Sequence, residues 1–223
     1  MENIAENIEK IKAELPEGVK LVAVSKFHSA EVVRVAYDAG LRAFGENRAQ
    51  ELVAKQPLLP TDVEWHFIGH LQKNKVKAVV GKAAMIQSVD SLELLALIDK
   101  ESKKLGIKTD VLLQIHVAQE EAKSGFYIDE LNELCDKDAF AAFVNVNYCG
   151  LMTMATNTRD EHQVAHEFGT VKQEFDLLRK NYFSDKPTFE QLSMGMSHDW
   201  KIAVAQGATM VRVGTAIFGQ REY

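Results

Sequence analysis

LVAVSKFHSAEVVRVAYDAGLRAF, residues 21–44, decides the fold. LVAVS (21–25) is a short apolar run of the kind that forms a buried strand. A helix begins after Lys26, Gly40 marks where it should end, and LRAF (41–44) starts a second strand. Six more apolar runs repeat the theme: VEWHFI (63–68), AMIQSV (84–89), VLLQIHV (111–117), VNYCGLM (146–152), FEQLSM (189–194) and TMVRVG (209–214). Strands alternating with helices at roughly 25 residues per unit point to an α/β fold, a closed (β/α)8 TIM barrel. An open doubly wound sheet is the rival arrangement.

The ends of several helices are legible. Ile4, Ile8, Ile11 and Leu15 recur at helical spacing before Pro16 and Gly18, so residues 1–18 are expected as an extra N-terminal helix packed on the barrel. Asp90 with Glu93, and Thr158 with Glu161, have the spacing of capping boxes. The first of these helices should run to Gly106. The second carries Val164, Phe168, Val171, Phe175 and Leu178 on one stripe. Ser197 is expected to cap a short helix that stops at Gly207. No compositional break marks a linker, so residues 1–223 are expected to form a single domain.

Composition excludes several classes. The 223 residues are 46% hydrophobic and 26% charged, with a net charge of −6, so there is no basic footprint for nucleic acid or an acidic membrane surface. No apolar run approaches the length of a membrane span. The start MENIAENIEKIKAEL has no signal-peptide core, and Cys135 and Cys149 show no metal-binding spacing. A cytoplasmic protein with reduced thiols is expected.

The chemistry begins at the end of the first strand. Side chains alternate along a strand, so Val22, Val24 and Lys26 share one face. If that face is the barrel interior, Lys26 emerges at the carboxyl-terminal rim, where such barrels carry their sites. Met210, Arg212 and Gly214 share a face of the last strand, which closes against the first. Taken alone, Lys26 would be a strand-end lysine snorkelling to water, and Arg212 a buried ion-pair partner, with Glu46 as a candidate. LSMGMSHDW (192–200) and RVGTAIFG (212–219) place glycines after strands seven and eight, where backbone N–H groups bind phosphate. A partly desolvated lysine also attacks aldehydes. An aldehyde bearing a phosphate is either pyridoxal phosphate or a phosphosugar.

VAVSK, FGENRAQE, WHFIGHLQKNK, AKSGF, GLMTMA, LSMGMSHDW and VRVGTAIFG occur here in that order. In this the chain resembles the pyridoxal-phosphate homeostasis proteins, whose fold is similar to the N-terminal barrel of alanine racemase, from about residue 20 to the C-terminus. The resemblance implies pyridoxal 5′-phosphate as cofactor, held by Lys26 as an internal aldimine. It places Arg212 at the pyridine nitrogen and Ser193, Gly214 and Thr215 at the phosphate. Asn47 would line the pocket, and His66 would lie near the cofactor by its strand position. The chain departs from the pattern in two places. Phe27, His28 and Ser29 stand where many relatives carry a proline, though Ser29 can cap the next helix. His116 replaces an asparagine common at the end of strand five.

Other candidates receive ordinary readings. His66 and His70 are four apart, but Gly69 and the strand pattern argue against a helical pair and HEXXH is absent, while His162 and His166 belong on a solvated helix face, so no metal site is expected. The lysines of LQKNKVKAVVGK form a solvated face, and Cys149 packs in the core. Alanine racemase, by resemblance, uses a second domain and a tyrosine base. This chain ends nine residues after Gly214, and Tyr37, Tyr127, Tyr148, Tyr182 and Tyr223 match no such motif. The expectation is a monomeric carrier or regulator of pyridoxal phosphate, without robust catalysis, that passes its cargo to apoenzymes requiring it. A minimal enzyme acting on small amino acids and a Schiff-base phosphosugar aldolase are the alternatives.

Overall fold

The computed structural model describes residues 3–119 and 124–220. Ala122 and Lys123 of AKSGF, part of the QIHVAQEEAKSG segment, and Tyr223 lie outside the described residues. Eight parallel strands close into a barrel in chain order: β1 Lys20–Val24, β2 Ala43–Glu46, β3 Glu64–Phe67, β4 Met85–Val89, β5 Thr109–Ile115, β6 Val146–Thr153, β7 Gln191–Ser193 and β8 Met210–Val213. Each expected strand is present. β2 starts two residues later than LRAF suggested and extends through Gly45 and Glu46. β1 closes on β8 with Val22 opposite Arg212 and Ala23 opposite Val213.

The helices α1 Ile4–Glu14, α2 Ala30–Asp38, α3 Ala49–Lys55, α4 Val76–Val79, α5 Leu92–Leu105, α6 Ile128–Asp136, α7 Glu161–Asn181, α8 Trp200–Ala205 and α9 Thr215–Phe218 surround the strands. α1 lies against α2 and α9, tied by the Asn7 side-chain amide donating to the Ile217 carbonyl at 3.1 Å. The predicted stripe of α7 is buried from Val164 to Leu178. Full burial of each such side chain stabilises by about 1.5–3 kcal/mol.

Three caps differ from the expected ones. Ser91, not Asp90, caps α5, because its hydroxyl reaches the Leu94 amide at 3.3 Å while Asp90 faces His70 and Glu93 pairs with Lys73. Asp160, not Thr158, caps α7, accepting from the amides of His162 and Gln163 at 3.0 and 3.2 Å. Ser197 caps no helix: Asp199 stands at the start of α8, and the Ser197 hydroxyl is engaged elsewhere. Ser29 caps α2 as expected.

The barrel interior is layered. Lys20 and Glu64 pair at 2.7 Å at the amino-terminal end, where Asn147 also donates to Asp110 at 2.9 Å. Above them Val22, Ala43, Met85, Leu112, Cys149, Met152 and Met210 form an apolar plug. Above the plug the lining turns polar with His66, Gln87, Ser193 and Arg212, all buried. This sequence of layers seals one end and makes the other a polar mouth.

Candidate functional site at the carboxyl-terminal mouth

The polar layer is a continuous hydrogen-bonded chain across four strands. Arg212 donates from Nη1 to the Ser193 hydroxyl at 2.7 Å and from Nη2 to the Thr153 carbonyl at 2.8 Å. Ser193 donates to Gln87 Oε1 at 2.7 Å. Gln87 Nε2 lies 2.8 Å from His66 Nδ1 and 3.0 Å from the Met210 sulfur. Because Nε2 is the donor, His66 accepts at Nδ1 and carries its proton on Nε2, which faces Glu64 at 4.0 Å. Burial pushes the His66 pKa down, and the neutral ring is the form this network uses. Glu64, beside His66 and paired with Lys20, is held down at about 2.

Among the described residues Arg212 is the one cation in this layer. Burial lowers its pKa to about 10, opposed by the charge of Asp199, so the guanidinium stays protonated at neutral pH. Its expected partner, Glu46, is not there. The side chains of a strand alternate, and Glu46 lies on the outer face of β2, where Lys55 of α3 pairs with it at 2.8 Å.

Lys26 sits half-buried just past β1, in a turn closed by the His28 amide donating to the Ser25 carbonyl at 3.1 Å. Phe27, third in that turn, has φ +69°, a value that glycine usually supplies in a type II turn. The Phe27 ring is stacked by the Arg48 guanidinium at 4.8 Å, and His28 packs on Phe218. Three buried or half-buried charges surround the turn. Lys55 Nζ donates to the Ser25 carbonyl at 2.9 Å, to Glu46 at 2.8 Å and to Glu51 at 3.0 Å. Glu51 accepts from the Phe27 amide at 2.7 Å, and the Ser25 hydroxyl donates to Glu46 at 2.6 Å.

The two glycine loops meet beside this turn. The Gly214 amide donates to the Ser197 hydroxyl at 3.1 Å, and the Arg212 amide donates to the Gly195 carbonyl at 2.9 Å. A Cβ added to Gly214 would sit 3.2 Å from the Val24 carbonyl and 3.3 Å from the Val24 Cβ, two residues before Lys26. At Gly195, with φ +92°, a Cβ would fall 2.6 Å from Ala203. Backbone this close-packed presents amides rather than side chains, which suits an oxyanion. Thr215 is exposed at the end of the second loop.

The structure therefore gathers Lys26, Asn47, Ser193, Arg212, Gly214 and Thr215 at or just below one mouth. Asn47 follows β2, and its buried Oδ1 has no partner among the described residues. His66 lies lower, in the floor, with its second nitrogen turned away toward Glu64. Sequence reasoning missed Gln87 and the Glu46–Glu51–Lys55 cluster. The spacing of Glu51 and Lys55 in the segment after FGEN was the available signal for the second. Gln87 carried none, since a glutamine in a buried strand gains a partner only when the barrel closes. A buried cation, a partnerless amide oxygen and a tight backbone cradle fit a polar aromatic ring carrying a phosphate.

Comparison with known proteins points to one family and one fold. The family model described as alanine racemase, N-terminal domain, matches residues 1–222. A pyridoxal phosphate homeostasis protein of Aquifex aeolicus (strain VF5) is 41% identical over 205 residues, covering 92% of this chain and 88% of that protein. PipY of Synechococcus elongatus PCC7942, solved without PLP, superposes with a TM-score of 0.91 at 36% identity, covering 97% of this chain and all of that one. The same protein with PLP bound gives a TM-score of 0.88.

Proposed function

This chain belongs to the family of pyridoxal phosphate homeostasis proteins, on the barrel of the alanine racemase N-terminal domain, and from that premise we propose that it binds pyridoxal 5′-phosphate at its carboxyl-terminal mouth and serves in intracellular homeostasis or carriage of that cofactor. The observation that carries this reading is the β1–β8 seam. Val22 pairs with Arg212, and Gly214 packs on Val24, so one seam brings the lysine, the guanidinium and a backbone cradle together. When bound, the cofactor supplies an aldehyde carbon that condenses with a neutral amine and releases water.

Lys26 provides that amine. Arg212 donates toward the ring nitrogen and, being protonated and poorly acidic, leaves that nitrogen without a proton. Such a ring withdraws electrons weakly, which suits retention better than turnover. Gly214, whose own amide is committed to Ser197, shapes the turn, and the amide that follows it at Thr215, with the loop after Ser193, takes the phosphate. Ser193 has committed its one proton to Gln87 and contributes by holding Arg212. Asn47 lines the wall, and His66 supports the floor through Gln87.

We infer further that it acts as a monomer and hands its cargo to apoenzymes. Burial raises both thiols, Cys135 and Cys149, to about 12, so they are inert, in keeping with a cytoplasmic setting. Among the described residues no helix is long and apolar enough to cross a membrane.

The test is chemical. Mixing the protein with pyridoxal phosphate, reducing with borohydride and mapping the pyridoxyl group by mass spectrometry should place it on Lys26. A mark spread over surface lysines with Lys26 clean overturns the reading.

One observation favours a second reading, that of a minimal enzyme on small amino acids. Tyr127 follows the carboxyl end of β5, more than half exposed and edge-on to His116 at 5.0 Å. The hydroxyls of Tyr37, Tyr148 and Tyr182 are bonded elsewhere. α-Proton exchange of amino acids in deuterium oxide that disappears in Tyr127→Phe would establish it.

A further inference from the structure

We propose that Glu46, Glu51 and Lys55 form a buried ionic clamp whose task is to hold the Lys26 turn in the conformation that presents its amine. The inference rests on the functional reading above for the purpose of the turn. The clamp itself is visible in the bonds alone. Lys55 holds the carbonyl of Ser25, immediately before Lys26, and Glu51 holds the amide of Phe27, immediately after it. The lysine is thus gripped at both of its flanking peptides by one ion pair, since Lys55 and Glu51 are themselves 3.0 Å apart. Ser25 is tied a second time through its hydroxyl to Glu46.

The arrangement answers two physical questions. A phenylalanine in the left-handed region is uncommon and costs free energy, so something must over-determine it. An acceptor fixed on the Phe27 amide and a donor fixed on the Ser25 carbonyl do so from opposite ends of the turn. Burying three charges is also costly unless a geometry is gained in return. Burial pushes Glu46 up, whereas Glu51, although burial opposes it, is held down by the Phe27 amide and the Lys55 ammonium. Lys55 Nζ already donates to three oxygens, those of Ser25, Glu46 and Glu51. A second amine one peptide from the site is thereby kept from competing for an aldehyde.

These are positioning residues: none of their side chains needs to touch the cofactor. The test uses Glu51→Ala, which removes the acceptor from a part-buried site, and the double variant Glu46→Gln/Lys55→Met, which removes the inner charges together. Two measurements are made on each. Hydrogen exchange of the cofactor-free protein reads the Phe27 amide against the barrel strands. Binding is compared between pyridoxal phosphate and pyridoxine phosphate, which shares ring and phosphate but has no aldehyde.

In Glu51→Ala the Phe27 amide should exchange at least about tenfold faster while strand amides keep their protection. Borohydride-trapped pyridoxyl on Lys26 should fall by a similar factor, with pyridoxine phosphate binding unchanged. Unchanged exchange at Phe27, or equal weakening of both ligands, overturns the proposal. So does loss of Phe27 protection with undiminished trapping. The double variant should move the same readouts in the same direction, and its failure to do so when folded counts equally against the clamp. A wild-type Lys26 that takes no mark removes the functional reading. The exchange result at Phe27 then stands apart and shows which of the two claims failed.

Discussion

Arg212 Nη1 donates to the Ser193 hydroxyl at 2.7 Å, and that hydroxyl donates onward to Gln87 at the same distance. A serine with both roles filled is a connector, not a free ligand. Ser193→Ala leaves a guanidinium N–H and an amide oxygen unpaired inside the barrel. Each unsatisfied buried group costs about 1–3 kcal/mol, so urea unfolding should show a loss of about 2–6 kcal/mol for the two. Cofactor affinity should fall with it, because Arg212 loses one of its two anchors. A Ser193→Ala protein of wild-type stability would mean that the relay is not intact in solution.

The Ser197–Gly214 bond joins the two glycine loops. Ser197→Ala should free the Gly214 amide and let the loops drift apart. The net worth of one hydrogen bond is about 0.5–1.5 kcal/mol, or about 2- to 12-fold in affinity. Equilibrium dialysis should show that loss for pyridoxal phosphate and little change for pyridoxal, which has no phosphate to grip. Equal losses for both would move the phosphate away from these loops.

Gly69 carries Asn47. A Cβ there would lie 2.3 Å from the Asn47 carbonyl oxygen and within 2.8 Å of its Cα and carbonyl carbon, all backbone. The Ser88 hydroxyl fixes the other side by donating to the Gly69 carbonyl at 2.6 Å. Neither segment can give cheaply. Gly69→Ala should cost about 1–3 kcal/mol from overpacking and displace Asn47 from the wall, so that melting temperature and cofactor affinity drop together. Normal affinity in a destabilised Gly69→Ala protein would take Asn47 out of the site.

The contrast between what the sequence disclosed and what it withheld has a physical basis. Eight strands and the α7 stripe were legible because burial imposes apolar runs and helical spacing that survive in one dimension. Lys26, Arg212 and the glycine loops were legible from strand alternation and loop position, with the family motifs supplying their roles. Caps were misassigned at Asp90, Thr158 and Ser197, since several neighbouring residues there can each cap and only the final backbone path selects one. The partner of Arg212 was missed for a related reason. A buried cation suggested a carboxylate, but closure supplied a serine, a carbonyl and a glutamine from strands distant in sequence.

His66 gives the chain a specific response to acid. Burial lowers its folded-state pKa below the ordinary histidine range, so the unfolded chain binds a proton that the folded one refuses. For a depressed group, stability is fully present above the unfolded value and is lost as pH falls through the folded one. The slope for one such proton is about 1.4 kcal/mol per pH unit. Glu46 acts oppositely: its raised carboxyl favours the folded state as pH falls toward the ordinary glutamate range. The two contributions separate only by difference. Urea midpoints taken between pH 7.5 and 5 should fall more steeply for wild type than for His66→Gln, whose amide can accept from Gln87 but cannot titrate. Lys20 and Glu64, the charged pair beneath His66, are common to both proteins and cancel to first order. Parallel pH profiles would show that His66 is protonated, or solvated, within the folded barrel, and that the neutral relay from Gln87 to Arg212 is not the form present in solution.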